Sequence, residues 1–211
     1  MGTQRPICWA AAALFGVVAT PGHAADCVTS EDLWDGIALT HASGLRVEYR
    51  RLSDTTWTEV YRDIDFVSRN LYMGALFPVN SRMTRRWFQP RSGEDFLNTT
   101  YRYRQTVNQL PRPVPETETR VWVDVEAMDG KALELHVYRF GAANTVAFGG
   151  CHYRSVPVSV YWGAPEQVTD EPEANLTLYY LSELGIALFV DGEPGGVGQG
   201  IPPGSTLTRL Q

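Results

Sequence analysis

Lysine is almost missing from this chain: Lys131 stands alone, and the other basic residues are all arginine. Positive charge is also in deficit. Eighteen Lys and Arg face 24 Asp and Glu, a formal net charge of −6. That balance argues against a general nucleic-acid binder, because neutralising phosphates drives such binding. There is no Gly-x-Ser-x-Gly elbow, so an α/β-hydrolase site has no support. Histidines number four, and none is spaced from another His, Cys or carboxylate in a metal pattern. Zinc needs three or four converging ligands, so no metal or other cofactor is implied. Past the first twenty residues no long apolar run occurs.

The apolar run that does exist is at residues 7–20, preceded by Arg5 and followed by Pro21-Gly22-His23-Ala24-Ala25. A basic start, an apolar middle and a small-x-small end read as a secretory signal peptide, with cleavage expected after Ala24. The run falls short of the roughly 20 residues a membrane-spanning helix needs. Asp26 stands before Cys27, where a lipoprotein signal calls for a small residue. The expectation is therefore a single exported β-rich domain over residues 25–211, with no membrane span after cleavage. Together with the arginine bias of a GC-rich genome, this points to a Gram-negative periplasm.

Export decides how the three cysteines are read. Cys8 leaves with the signal segment. Cys27 and Cys151 remain, and in an oxidising compartment they are expected to pair. The adjacent Cys151-His152 pair is a poor nucleophile and base, because neighbours on a strand point to opposite faces.

The remaining pattern is β almost throughout. A short helical turn over residues 30–34, capped by Ser30, precedes the strands. Strands are expected at 37–41, 45–51, 56–62, 65–69, 72–78, 83–89 and 99–106, then at 145–149, 153–162, 176–181, 186–190 and 206–210. Residues 42–44 read as a hairpin loop. The stretch 108–116 carries prolines 111, 113 and 115, which cannot serve a central strand. It reads as a stiff crossover between sheets or across one end of a barrel. Pro157 calls for an edge strand or a bulge. Val121, Val123 and Val125 alternate with polar residues, as do Leu133, Leu135 and Val137. A three-residue loop, Met128-Asp129-Gly130, sets these six on one face and leaves His136 on the polar face near Trp122. Turn signals at this spacing predict an antiparallel sandwich or half-barrel of about ten strands. An outer-membrane barrel is disfavoured by the short strands.

Candidate chemistry is sparse. Gly195-Gly196-Val197-Gly198-Gln199-Gly200 misses the phosphate-loop spacing, and prolines follow where a helix must start. Paired carboxylates of the glycosidase kind require a separation that sequence cannot show. The one charge anomaly is basic and aromatic: Arg82, Arg85, Arg86 and Arg91 around Trp87 and Phe88, with Tyr101-Arg102-Tyr103-Arg104 beyond. If their strands pair, Arg85, Arg86, Trp87, Arg102 and Arg104 form a surface for an anionic envelope component, a lipid or an acidic protein partner. A carrier of an apolar or lipid-like ligand in a half-barrel cavity is the alternative, and a hydrolase with paired carboxylates the third.

Tyr180-Leu181-Ser182-Glu183-Leu184-Gly185-Ile186-Ala187-Leu188 places a glycine turn between two strands. This stretch resembles the late hairpin of small exported bacterial β proteins, uncharacterised periplasmic families and LolA/LolB-like carriers among them. The resemblance implies an exported β fold. It carries over no ligand-binding residue.

Overall fold

The computed structural model describes residues 27–85, 97–166, 176–189 and 204–210. The apolar run at 7–20, Arg86, Trp87 and the glycine-rich stretch 195–200 lie outside them. After one short helix, α1 (Asp32–Asp35), come β1 (Ile37–Thr40), β2 (Arg46–Ser53), β3 (Thr56–Arg62), β4 (Phe66–Met73), β5 (Phe77–Arg85) and β6 (Leu97–Tyr103). A 3-10 turn at Val107–Gln109 leads to β7 (Glu118–Ala127), β8 (Gly130–Phe140), β9 (Asn144–Phe148), β10 (Cys151–Gly163), β11 (Leu176–Leu181), β12 (Ile186–Phe189) and β13 (Thr206–Arg209). All pairings are antiparallel and form one open sheet of thirteen strands, with spatial order β12-β11-β10-β8-β7-β6-β5-β4-β3-β2-β1-β13 and β9 beside β10. The expected antiparallel half-barrel or sandwich is thus present, with more strands than the ten anticipated.

The sheet curls until its two ends meet. Ile37, Leu39, Val47 and Tyr49 at one end pack with Phe148, Tyr153, Leu181, Ile186 and Leu188 at the other. The other face of the β10–β12 end packs elsewhere. Val156, Val158, Leu178 and Ala187 join Leu76, Phe77, Val121, Val123 and Tyr138 in a second cluster. The β11–β12 hairpin is therefore rolled inside the sheet and covered on both sides. Such a strand reads as a continuous apolar run, not an alternation, and β12 is Ile-Ala-Leu-Phe. Ala187 donates its N–H to the Ala75 carbonyl at 2.9 Å, fixing β12 against the β4–β5 turn. Arg51 Nη2 holds the Leu184 carbonyl at 2.9 Å. The turn between β11 and β12 needs Gly185, whose φ is +72°.

The predicted disulfide joins Cys27 to Cys151, 124 residues apart, and ties the first described residue to the start of β10. The proline connector crosses one end of the curled sheet. Leu110 is buried in the second cluster, and residues 108–113 line a pocket with the β2–β3, β4–β5 and β11–β12 turns.

Several local expectations are corrected. The helical turn is Asp32–Asp35, with Glu31 at the N-cap position and no side-chain cap. Ser30 does not cap it, and the Asp32 carboxylate takes the Thr29 N–H at 2.7 Å and Arg209 Nε at 2.6 Å. The segments foreseen at 65–69, 72–78 and 83–89 are two long strands, β4 and β5. Met73 pairs with Phe77 around a turn at Gly74, whose φ is +63°. Pro157 sits in a central strand. Its carbonyl accepts the Gly141 N–H, so its missing N–H points to the same side. There β10 exchanges β9 for β8 as neighbour, and no ladder bond is lost.

The largest correction concerns β7 and β8. Ala127 pairs with Gly130, leaving only Met128-Asp129 as the loop. Val121 then faces His136, Val123 faces Glu134 and Val125 faces Ala132. Leu135 and Val137 turn to the other face, where they pack with Tyr161. Gathering all apolar residues on one face fails here because the enclosed face carries polar groups of its own.

Candidate functional site

Strand alternation sets the wall of the interior. In β3, Trp57 and Glu59 are buried and Tyr61 is half-buried on the same parity. Register places Glu59 between Tyr49 of β2 and Asn70 of β4, and Asn70 opposite Ser81 of β5. Toward the rim, Tyr61 faces Ser68, which faces Met83; the next row pairs Phe66 with Arg85.

From these rows Glu59, Tyr61, Phe66, Ser68, Asn70 and Met83 line a cavity of about 800 Å³, whose far side is Leu176, Leu178 and Phe189 of the inrolled hairpin. Its rim is the β1–β2 loop and the β3–β4 turn, with Ser43, Asp63 and Ile64. A smaller chamber of about 160 Å³ adjoins it. The two share Asn70, Tyr72, Leu176 and Leu178.

Glu59 is the polar focus of the larger cavity. Its Oε1 accepts Asn70 Nδ2 at 2.7 Å and, more weakly, the Tyr72 hydroxyl at 3.4 Å. Asn70 is steadied by the Ser68 hydroxyl, which donates to its Oδ1 at 3.3 Å. Tyr72 is stacked on Trp57 at 4.1 Å, and Trp57 Nε1 donates to the Gly74 carbonyl. Burial pushes the Glu59 carboxyl above the usual glutamate range, while the Asn70 and Tyr72 donors pull the other way. Burial also raises the Tyr49 and Tyr72 hydroxyls, and the Glu59 charge adds to that.

His136 is the focus of the smaller chamber. It is 3% exposed, not on the surface, because the corrected register turns it inward. Its Nε2 lies 2.8 Å from Glu134 Oε2. Rings of Tyr101, Tyr103, Tyr138 and Trp162 surround it, with centroids 6.1–6.5 Å away. Burial lowers its pKa against the pull of Glu134, which favours the neutral ring. Burial raises the Tyr103 and Tyr138 hydroxyls, which lie against one another.

Of the basic and aromatic surface expected from sequence, the three described arginines do not share a face. Arg102 and Arg104 lie on the outer face of β6, where they pair with Glu126 at 3.2 Å and Asp124 at 3.4 Å. Exposed pairs of this kind contribute about 0–1 kcal/mol each, and here they answer the positive charge locally. Arg85 shares the inner parity of Ser81 and Met83. It stands near Leu97, at the opposite end of β6 from Arg104, roughly 23 Å away at strand rise. Arg86 and Trp87 lie outside the described residues.

Two acids, Glu59 and Asp63, line the larger cavity. They follow one another along one strand end, about 13 Å apart at strand rise, instead of facing each other across a cleft. Asp63 accepts from Tyr61 and from the Ile64 N–H. Glycosidase chemistry needs carboxyls about 5–10 Å apart on either side of the scissile bond. Among the described residues no three His, Cys, Asp or Glu converge as a metal site. No described helix is long and apolar enough to cross a membrane.

Glu59, Asn70 and Tyr72 were not singled out from sequence, and His136 was expected on the polar face of its hairpin instead of in the interior. The signal is there in retrospect: Trp57-x-Glu59-x-Tyr61 and Glu134-x-His136-x-Tyr138 each place ionisable groups on an aromatic parity. Fold and site together define an open antiparallel β sheet curled around a cavity with aromatic and acidic walls. No protein-family model matches the chain, and no curated protein or solved structure is significantly similar to it.

Proposed function

We propose that this chain is exported through its N-terminal apolar segment to the periplasm, where it carries a small, mainly apolar ligand in the interior of its curled sheet. The observation that carries this reading is the cavity of about 800 Å³ with its adjoining chamber. That volume lies within the range of about 300–1,000 Å³ usual for small-molecule sites, and its wall is mostly apolar and aromatic with a few placed polar groups, as in such sites. The disulfide between Cys27 and Cys151 supports the exported half of the reading, since such bonds persist in oxidising compartments.

The inrolled hairpin gives the ligand its second wall. Leu176 and Leu178 stand at the junction of the two spaces, so an acyl or alkyl chain entering past Phe66 reaches both. The binding is non-covalent in this account.

The test is extraction. Protein purified in its exported, disulfide-bonded form and extracted with organic solvent is expected to release an amphiphile in near-stoichiometric amount, read by mass spectrometry. Protein that repeatedly releases none from membrane-containing cultures contradicts the proposal.

A further inference from the structure

The chemistry of the ligand's head can be argued from Glu59, on the reading of the cavity as a ligand site. Both protein donors, Asn70 and Tyr72, reach Oε1, and Oε2 accepts no hydrogen bond from a described residue. Hydrogen bonding to one oxygen leaves the other available toward the space that Glu59 lines. No described arginine or lysine pairs with this carboxyl. The charged and titratable groups nearest it are Tyr49 from β2, Tyr61 from β3 and Tyr72 from β4, with Asp63 and Arg62 at the rim and Arg85 beyond, opposite Phe66. Arg62 is held by Glu48 at 3.3 Å, and Asp63 by Tyr61. Arg85 lies two rows nearer the rim than Asn70, roughly 13 Å along the strand.

A carboxyl at a cavity wall with aromatic rings beside it matches one chemistry well. Ring faces attract cations through their negative quadrupole, more strongly where water is excluded. A carboxylate supplies the charge partner, and an unpaired buried charge is otherwise costly. An anionic head at this depth meets negative charge with no described cation beside it. We propose that the cavity recognises an amphiphile with an organic ammonium head, which sits against Glu59 among the rings of Tyr61 and Tyr72 while its chain runs along Leu176 and Leu178.

Three probes with the same chain separate this from the general carrier reading: octyltrimethylammonium, octyl sulfate and 1-octanol. Calorimetry on the disulfide-bonded protein at neutral pH is expected to show the ammonium probe binding about tenfold or more tighter than octanol, with octyl sulfate weakest. In Glu59→Gln the preference for the ammonium probe over octanol disappears. Equal binding of the three probes, a preference for octyl sulfate, or a preference surviving in Glu59→Gln overturns the inference. Octanol bound without an ammonium preference removes the head-group assignment and leaves the cavity reading standing. Binding of none of the three removes both. The wild-type comparison decides on its own if Glu59→Gln does not fold.

Discussion

A carboxyl buried among aromatic rings has a pH signature that the same group in water lacks. Glu59 is 6% exposed, and burial raises its pKa above the unfolded value of about 4.3. The folded state therefore holds the proton over a window in which the unfolded state has lost it. Stability falls as pH rises through that window, and is undiminished below the unfolded value. Glu59→Gln keeps a hydrogen-bonding amide in place and removes the titration. Relative to wild type, the variant is expected to gain stability between about pH 4 and pH 7, read from urea midpoints at the two pH values. His136 titrates in the opposite sense, but it is present in both proteins and cancels in the difference. A wild-type-to-variant difference that does not change with pH contradicts the assignment of Glu59 as a buried, raised acid.

Among the elements, the β11–β12 hairpin does the most to create the interior. Leu181 and Leu188 are fully buried against β1 and β2, while Leu178 and Ala187 face the opposite wall. Leu188→Ala is expected to cost about 2–5 kcal/mol of unfolding free energy, measured by denaturant titration, because the site is closed in on both sides and cannot collapse. A cost under about 1 kcal/mol means the hairpin is not rolled inside. The hairpin was legible in sequence because Gly185 marks its turn and Ile-Ala-Leu-Phe reads as a buried strand. The disulfide was legible from the cysteine count once residues 7–20 were read as an export signal, and the proline connector from backbone chemistry. The pairing of β7 with β8 was not. Hydrophobic register assumes an apolar core on one face, and here the enclosed face holds Glu134 and His136 while Leu135 and Val137 pack on the other. Glu59 escaped for the same reason, as a charged residue on the parity of Trp57 and Tyr61. The long-range placement of Arg85 against Arg102 and Arg104 depends on strand direction and face, which local sequence does not encode.

At the scale of the whole molecule, one sheet is curled, closed at one end and pinned. The proline connector lies across the end formed by three turns. The bridge from Cys27 to Cys151 closes a loop of 124 residues. In the chain-entropy model a closure of that length restrains the unfolded chain by about 5 kcal/mol before strain is deducted. The other end carries the rim residues Ser43, Asp63, Ile64 and Phe66 and opens into the cavity. Met83 stands on the inner face near that opening and is only half-buried, so a larger ring there narrows the space without disturbing the core clusters. The direct measurement is a fluorescence titration with the neutral apolar dye N-phenyl-1-naphthylamine, on wild type and on Met83→Trp of matched melting temperature. Saturable one-site binding that weakens about tenfold or more in Met83→Trp is the result the account predicts; unsaturable binding, or equal affinity in the two proteins, would contradict it.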